Sequence, residues 1–143
     1  SGAPTDTGYT AIYSTGRAFA AVKADGSVTA WGLWGGSGAP TDIGYIALYS
    51  TCCAFAAVKA DGSVTAWGTS SWGGSGAPTD TGYTAIYSTQ HAFAAVKADG
   101  SVTAWGVSCC GGSGAPTDTG YTAIYSTGRA FAAVKADGSV TAW

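Results

Sequence analysis

The sequence predicts an all-β protein, a toroidal propeller-like array of four near-identical blades, each of three to four antiparallel strands. The first observation behind this reading is repetition. Residues 1–31, SGAPTDTGYTAIYSTGRAFAAVKADGSVTAW, return from Ser37, Ser75 and Ser113, and the fourth copy matches the first at every position. Such spacing belongs to solenoids and propellers, where one supersecondary unit buries its faces against neighbouring copies. The second observation is composition: 23 Gly among 143 residues, no Met, Glu or Asn, and 10% charged residues. That is too much Gly and Thr for helices and too little charge for disorder. The third is the pattern within a copy, short runs rich in aromatic, β-branched and small residues, separated by turn residues. The copies run 1–36, 37–74, 75–112 and 113–143 and make a single repeat domain, 1–143.

Each copy reads as three strands. Tyr9 to Ser14 mixes aromatic, β-branched and small side chains, Ala18 to Ala24 is almost continuously apolar, and Ser27 to Trp31 ends on an indole. Ala18 to Ala24 competes as a helix on Ala content, but seven residues stopped by Asp-Gly are too few for an isolated helix and fit a strand. Asp25-Gly26 between the second and third runs is a hairpin signal, read as a type I′ turn. Phe19 and Ala21 point to one face of the sheet and Ala20 and Val22 to the other, so both faces need cover, and radially stacked sheets provide it. Phe19, Trp31 and Tyr13 are expected to nest against the Ala-rich face of the next copy. Pro4 and its equivalents lack the donor N–H, which leaves the Gly-Gly-Ser-Gly-Ala-Pro-Thr-Asp stretch as an edge strand or an ordered loop.

These residues carry a resemblance. Tyr9-x-x-Ile12, a turn, Ala18-Phe19-Ala20-Ala21-Val22, and Asp25-Gly26-Ser27-Val28-Thr29-Ala30-Trp31-Gly32 followed by a Gly-Gly pair resemble the regulator-of-chromosome-condensation type repeat, over about two thirds of each copy. The repeat is also similar to the regular tandem repeats of large bacterial surface proteins, and the near-identity of the copies looks like recent amplification or deliberate idealisation. The resemblance implies a β-propeller. It departs from the family in its shorter repeat, in four copies rather than a closed ring of seven, and in Ala18 at the place of the family's turn His. No residue matches an interaction motif that would carry the family's exchange-factor activity.

Charge narrows the function. With six Lys or Arg against eight Asp and one Lys per copy, no basic patch can follow a phosphate backbone, so nucleic acid is not an expected partner. No apolar run reaches the ~18 residues of a membrane span. The chain opens on Ser1 rather than Met, which suggests exposure by processing or removal of a tag.

What distinguishes the copies is a short set of residues. Copy two departs at Ile43, Ile46, Leu48, Cys52 and Cys53, copy three at Gln90 and His91, and the joints carry Leu33-Trp34, Thr69-Ser70-Ser71-Trp72 and Val107-Ser108-Cys109-Cys110. In an up-and-down sheet the first turn and the connection after the third strand leave at the same end. One face is therefore expected to display Arg17, Trp34, Cys52, Cys53, Trp72, Gln90, His91, Cys109, Cys110 and Arg129, either as a binding face or as tolerant solvent positions. Cys52 and Gln90 stand where Gly16 stands, so that position needs no positive φ. Trp31, Trp67, Trp105 and Trp143 read as core, Trp34 and Trp72 as an exposed stacking surface.

Four Cys and His91 supply soft ligands, but adjacent Cys-Cys pairs lack the two-residue spacing of a zinc site, and neither metal nor cofactor is expected. A Cys-His nucleophile would lack an orienting acid other than the repeated turn Asp residues. The expected function is a non-catalytic structural or scaffold module, with carbohydrate or surface adhesion, or metal binding through Cys and His, as alternatives. The expected partner is a second copy of the chain, for example two chains forming an eight-bladed ring.

Overall fold

The computed structural model describes residues 2–143, so that Ser1 lies outside it. Its strands form four three-stranded antiparallel sheets in chain order, each strand pairing with the next in sequence. The first blade is β1 (Tyr9–Ser14), β2 (Ala18–Lys23) and β3 (Val28–Gly32), the second β4 (Tyr45–Ser50), β5 (Ala54–Lys59) and β6 (Val64–Gly68). The third is β7 (Tyr83–Ser88), β8 (Ala92–Lys97) and β9 (Val102–Gly106), the fourth β10 (Tyr121–Ser126), β11 (Phe131–Lys135) and β12 (Val140–Ala142). The Pro-containing stretches lie outside the sheets as loops, and the second and third joints each hold one 3-10 turn, Ser70–Trp72 and Ser108–Cys110.

The hairpin between β2 and β3 differs from the expected type I′ turn. Gly26 N donates to Lys23 O at 2.9 Å and Lys23 N to Ser27 O at 3.0 Å, closing a loop of three residues, Ala24, Asp25 and Gly26. Among the described residues Trp34 is the only non-glycine with positive φ, so Asp25 takes an ordinary conformation and Gly26 alone, at φ 78°, is left-handed. This is a type I turn followed by a G1 bulge, the usual three-residue hairpin loop. Asp25 fixes it by accepting hydrogen bonds from the amide and hydroxyl of Ser27.

Each blade has a large face and a small face. Between the first two blades, Ala18, Ala20 and Val22 of β2 meet Tyr45, Leu48, Phe55, Ala57 and Trp67 of the second blade, and the next two interfaces repeat this pairing. The large residues therefore seat on the preceding copy, not on the next. Tyr13 packs from the small face, opposite to Phe19 and Trp31. A bulge between Tyr9 and Ala11 shifts the register of β1 on β2, which puts Tyr9 and Ile12 on one face and Ala11 and Tyr13 on the other. Within each blade Phe and Trp pair across adjacent strands, with Phe55 and Trp67 stacked at 5.3 Å between ring centroids. The indole nitrogens of Trp67, Trp105 and Trp143 each donate to a glycine carbonyl of the preceding joint, Gly35, Gly73 and Gly111, at 3.1 Å.

The stack is an open arc. Ile12, on the large face of the first blade, is 62% exposed, whereas Leu48 and Ile124 at the same position are 3% and 5% exposed. Phe19 is 47% exposed beside it, and at the other end Tyr125 and Val140 of the small face are open to solvent.

Candidate functional site

The variable turns sit on one rim because backbone atoms put them there. Leu33 N donates to Arg17 O, Thr69 N to Cys53 O and Val107 N to His91 O, at 2.8 to 3.0 Å, which ties each joint to the first turn of its own blade. A second series runs from blade to blade, from Gly16 N to Cys52 O, Cys52 N to Gln90 O and Gln90 N to Gly128 O, at 2.9 to 3.1 Å. Main-chain groups make these bonds, so Gly, Cys and Gln are interchangeable at one position, and neither Gly16 nor Gly128 has a positive φ. The constant Thr at the head of each turn was not legible as part of this rim. Thr51 Oγ1 accepts from Cys53 N and Ala54 N and donates to the Trp72 carbonyl at 3.1 Å, and Thr89 donates to the Cys110 carbonyl at 2.8 Å. Both threonines are buried, which is the signal of a polar group held for a specific partner.

Across the first three blades the rim carries a row of rings and one cation. The Arg17 guanidinium lies 4.1 Å above the Trp34 ring. Trp34 meets Trp72 edge-on at 6.4 Å, and Trp72 meets His91 edge-on at 5.0 Å. These are the separations at which aromatic and cation–π contacts are favourable. Trp34 is 51% exposed and adopts φ 53°, in the first joint, which is two residues shorter than the others. Trp34, Thr69, Ser71 and Trp72 line an open hollow of about 310 Å³. His91 turns its Nδ1 inward, where no hydrogen-bond partner meets it. Trp67 and Trp105 are buried and Trp31 and Trp143 partly so, each at the large face of its blade.

The cysteines stay in two vicinal pairs. Cys53 and Cys110 are buried, Cys52 is half-buried and Cys109 exposed, and all four are free thiols. Burial pushes the Cys52 thiol up to about 11, helped by its hydrogen bond with Cys53. Burial likewise raises Cys110, which lies 3.6 Å from Cys109 between sulfurs, while the charge of Arg129 acts the other way. Among the described residues no three of His, Cys, Asp and Glu gather around a common point. The remaining variable residues, Ile43 and Ile46, are exposed, and Leu48 is buried against the first blade.

The opposite end of the blades repeats in every copy except at Ile43 and Ile46, which replace Thr in the second. Each copy pairs a Lys with an Asp, Lys23 with Asp6, Lys59 with Asp42, Lys97 with Asp80 and Lys135 with Asp118, and each Lys also lies 4.9 to 5.0 Å from the centre of a Tyr ring. These hydrogen bonds to Lys hold all four carboxyls below the ordinary Asp range.

No family model and no curated protein matches the sequence. Solved structures do. The CRINKLY WD40 ectodomain of the Arabidopsis thaliana receptor kinase ACR4 matches with TM-score 0.68 and 18% identity, over 94% of this chain and 49% of that one. Prp20p of Saccharomyces cerevisiae matches with TM-score 0.62 and 14% identity, over 94% of this chain and 43% of that one. The computationally designed Ika4 protein matches with TM-score 0.54 and 18% identity, over 98% of this chain and 92% of that one. The neighbours are β-propellers, natural and designed, and the likeness is one of fold. The chain spans about half the length of the natural propellers it matches.

Proposed function

We propose that this chain is a non-catalytic scaffold, half of a β-propeller that a second copy completes head to tail into an eight-bladed ring with the variable turns on one rim. The observation that carries the reading is the contrast between Ile12 and Ile124. They occupy the same position of identical copies, and one is exposed while the other is buried against a preceding blade. The first blade thus presents Ile12 and Phe19 exposed, with Tyr9 and Trp31 half-buried beside them, and the fourth presents Tyr125, Ala130, Ala132 and Ala142 around an apolar hollow of about 280 Å³. The three internal interfaces, where the same kind of large face seats on the same kind of small face, support the fit of these two ends. Burying side chains of this size contributes about 1.5–3 kcal/mol each. Because the two faces differ, the contact is heterologous and closes only as a ring. Two copies also have the length of one of the natural propellers matched above. Light scattering coupled to size exclusion tests this, with an expected mass twice the 14.1 kDa of one chain. A single-chain mass at high micromolar concentration, or polydisperse growth, would overturn it.

A second reading rests on Trp34. An exposed indole beside a hollow lined by Thr69, Ser71 and Trp72 suits the face of a sugar ring, with hydroxyls at the margin to hydrogen-bond it. Titration of neutral oligosaccharides against indole fluorescence tests this. Saturable binding that Trp34→Ala abolishes is expected, and a response unchanged in that variant removes the reading.

A further inference from the structure

We infer that Cys109 and Cys110 form a bidentate site for a trivalent arsenical, a soft, thiophilic centre that takes two sulfurs from the protein and brings its own third substituent. The site goes beyond the scaffold reading and does not depend on how the chain assembles. Residues adjacent in a strand point to opposite faces, which would hold their sulfurs apart. These two stand instead in the 3-10 turn Ser108–Cys110 of the third joint, and their sulfurs meet at 3.6 Å, one thiol hydrogen-bonded to the other. Backbone groups fix the turn on both sides. The Val107 carbonyl accepts from the amides of Cys110 at 3.0 Å and Gly112 at 2.9 Å, and the Cys110 carbonyl accepts from the buried Thr89 hydroxyl at 2.8 Å. The two sulfurs are thus together before a ligand arrives, which lowers the ordering cost of binding.

Ligand count and geometry select the class. Zinc takes four ligands, whereas among the described residues no three of His, Cys, Asp and Glu gather around a common point. A linear ion with bonds of ~2.3 Å would spread the two sulfurs to ~4.6 Å. A pyramidal centre with bonds of about that length, meeting near a right angle, spans ~3.3 Å, so the sulfurs move by only a few tenths of an ångström. Cys109 is exposed and Cys110 buried, so the arsenic is captured at Cys109 and then closes onto Cys110. In the reaction of an R–As=O reagent with the two thiols, two As–S bonds form while two S–H bonds and the As–O bond break. Both protons leave with the oxygen as water, and arsenic stays trivalent. Cys52 and Cys53 also share a thiol hydrogen bond, but Cys53 is buried and Cys52 is pushed up to about 11, which makes that pair the slower one.

The test treats the reduced full chain with phenylarsine oxide at pH 8 and reads the product by intact-protein and peptide mass spectrometry. One phenylarsenic group in place of two thiol hydrogens is expected on the peptide holding Cys109 and Cys110. It should form about tenfold or more faster than on the peptide holding Cys52 and Cys53, where less thiolate is present. The adduct should survive ~mM glutathione, because the second sulfur acts at a higher effective concentration than a free monothiol, and a small dithiol such as dimercaptopropanol should strip it. Cys109→Ser, a change at an exposed position whose fold circular dichroism checks, should abolish the glutathione-resistant adduct there. Absence of the adduct, its loss to glutathione, its persistence in Cys109→Ser, or faster filling of Cys52 and Cys53 would each overturn the site.

Discussion

Trp105 and Gly73 are joined by a hydrogen bond of 3.1 Å from the indole nitrogen to the carbonyl oxygen, across the boundary between the second joint and the third blade. Trp105 is buried, so the bond both satisfies an enclosed donor and fixes the strand end to the joint that precedes it. Replacing Trp105 by Phe keeps a ring against Phe93 but leaves the Gly73 carbonyl without its donor. Urea denaturation of Trp105→Phe should show a loss of about 1–3 kcal/mol, the cost of an unsatisfied buried polar group. An unchanged midpoint would mean that the carbonyl finds water instead.

The hairpin glycines should respond unequally despite their identical local sequence. Gly100 has φ 79°, and a Cβ on it would stand 2.3 Å from Tyr121 N of the following blade. Gly138 has φ 84° and nothing within 4 Å. Gly138→Ala should cost an isolated chain about 1–2 kcal/mol from the left-handed conformation alone. Gly100→Ala adds a backbone collision and should cost roughly 3 kcal/mol or more. Denaturation at low concentration measures both. Equal losses would show that the blades are not held at this corner. At high concentration Gly138→Ala should also weaken self-association if the proposed ring forms, since Tyr9 of the second copy would there take the place of Tyr121.

Acid should unfold the protein through its aspartates. Asp6, Asp42, Asp80 and Asp118 are held low first by their Lys partners, and Asp25, Asp61, Asp99 and Asp137 by hydrogen bonds from Ser27, Ser63, Ser101 and Ser139. A carboxyl whose folded value lies below its unfolded value adds stability above the unfolded value, and that stability is lost as pH falls through the folded one. The melting temperature should therefore be flat at neutral pH and drop as pH falls below the ordinary Asp value of 3.8. The Lys partners are raised above 10.5, so their contribution is complete at neutral pH and lost as pH rises through the raised value. Melts from pH 2 to pH 8 of the protein and of Asp42→Asn decide the point. The variant should lose less stability in acid, and parallel curves would remove Asp42 from the account.

Alkylation should discriminate Cys52 by its pH dependence. With its thiol pushed up to about 11, Cys52 carries little thiolate at pH 8. Its reaction with iodoacetamide, followed by peptide mass spectrometry, should accelerate about tenfold per pH unit through pH 8–10, as the thiolate fraction does. A rate that levels off below pH 9 would show that the pair is more open than the structure has it.

The repeat and the three strands per copy were legible in the recurrence from residues 1, 37, 75 and 113 and in the runs between turn residues, and the two apolar faces in the alternation along Ala18 to Lys23. The direction of stacking was not, since alternation separates two faces without saying which neighbour covers each. Tyr13 was misplaced for a physical reason. The bulge after Tyr9 inserts one residue, so counting by twos along β1 assigns the wrong face beyond it. The Asp-Gly dipeptide marks a two-residue I′ turn and a three-residue G1 loop alike, and Ala24 gave no sign that it belonged to the turn. At the rim, the variable pairs were visible as departures from the repeat. The backbone bonds that let them vary, and the buried Thr51 and Thr89 behind them, are main-chain and constant features, which variation cannot reveal.

The near-identity of the blade faces has a consequence for how the chain assembles itself. Any large face can dock on any small face with almost the same chemistry, so side chains alone do not say which blade follows which. The joints decide it. The 12 to 14 residues between the last strand of one blade and the first of the next keep the following blade at a higher effective concentration than any later one. Order in the stack is thus an entropic property of the connections, and lengthening one of them would narrow the preference for the adjacent blade.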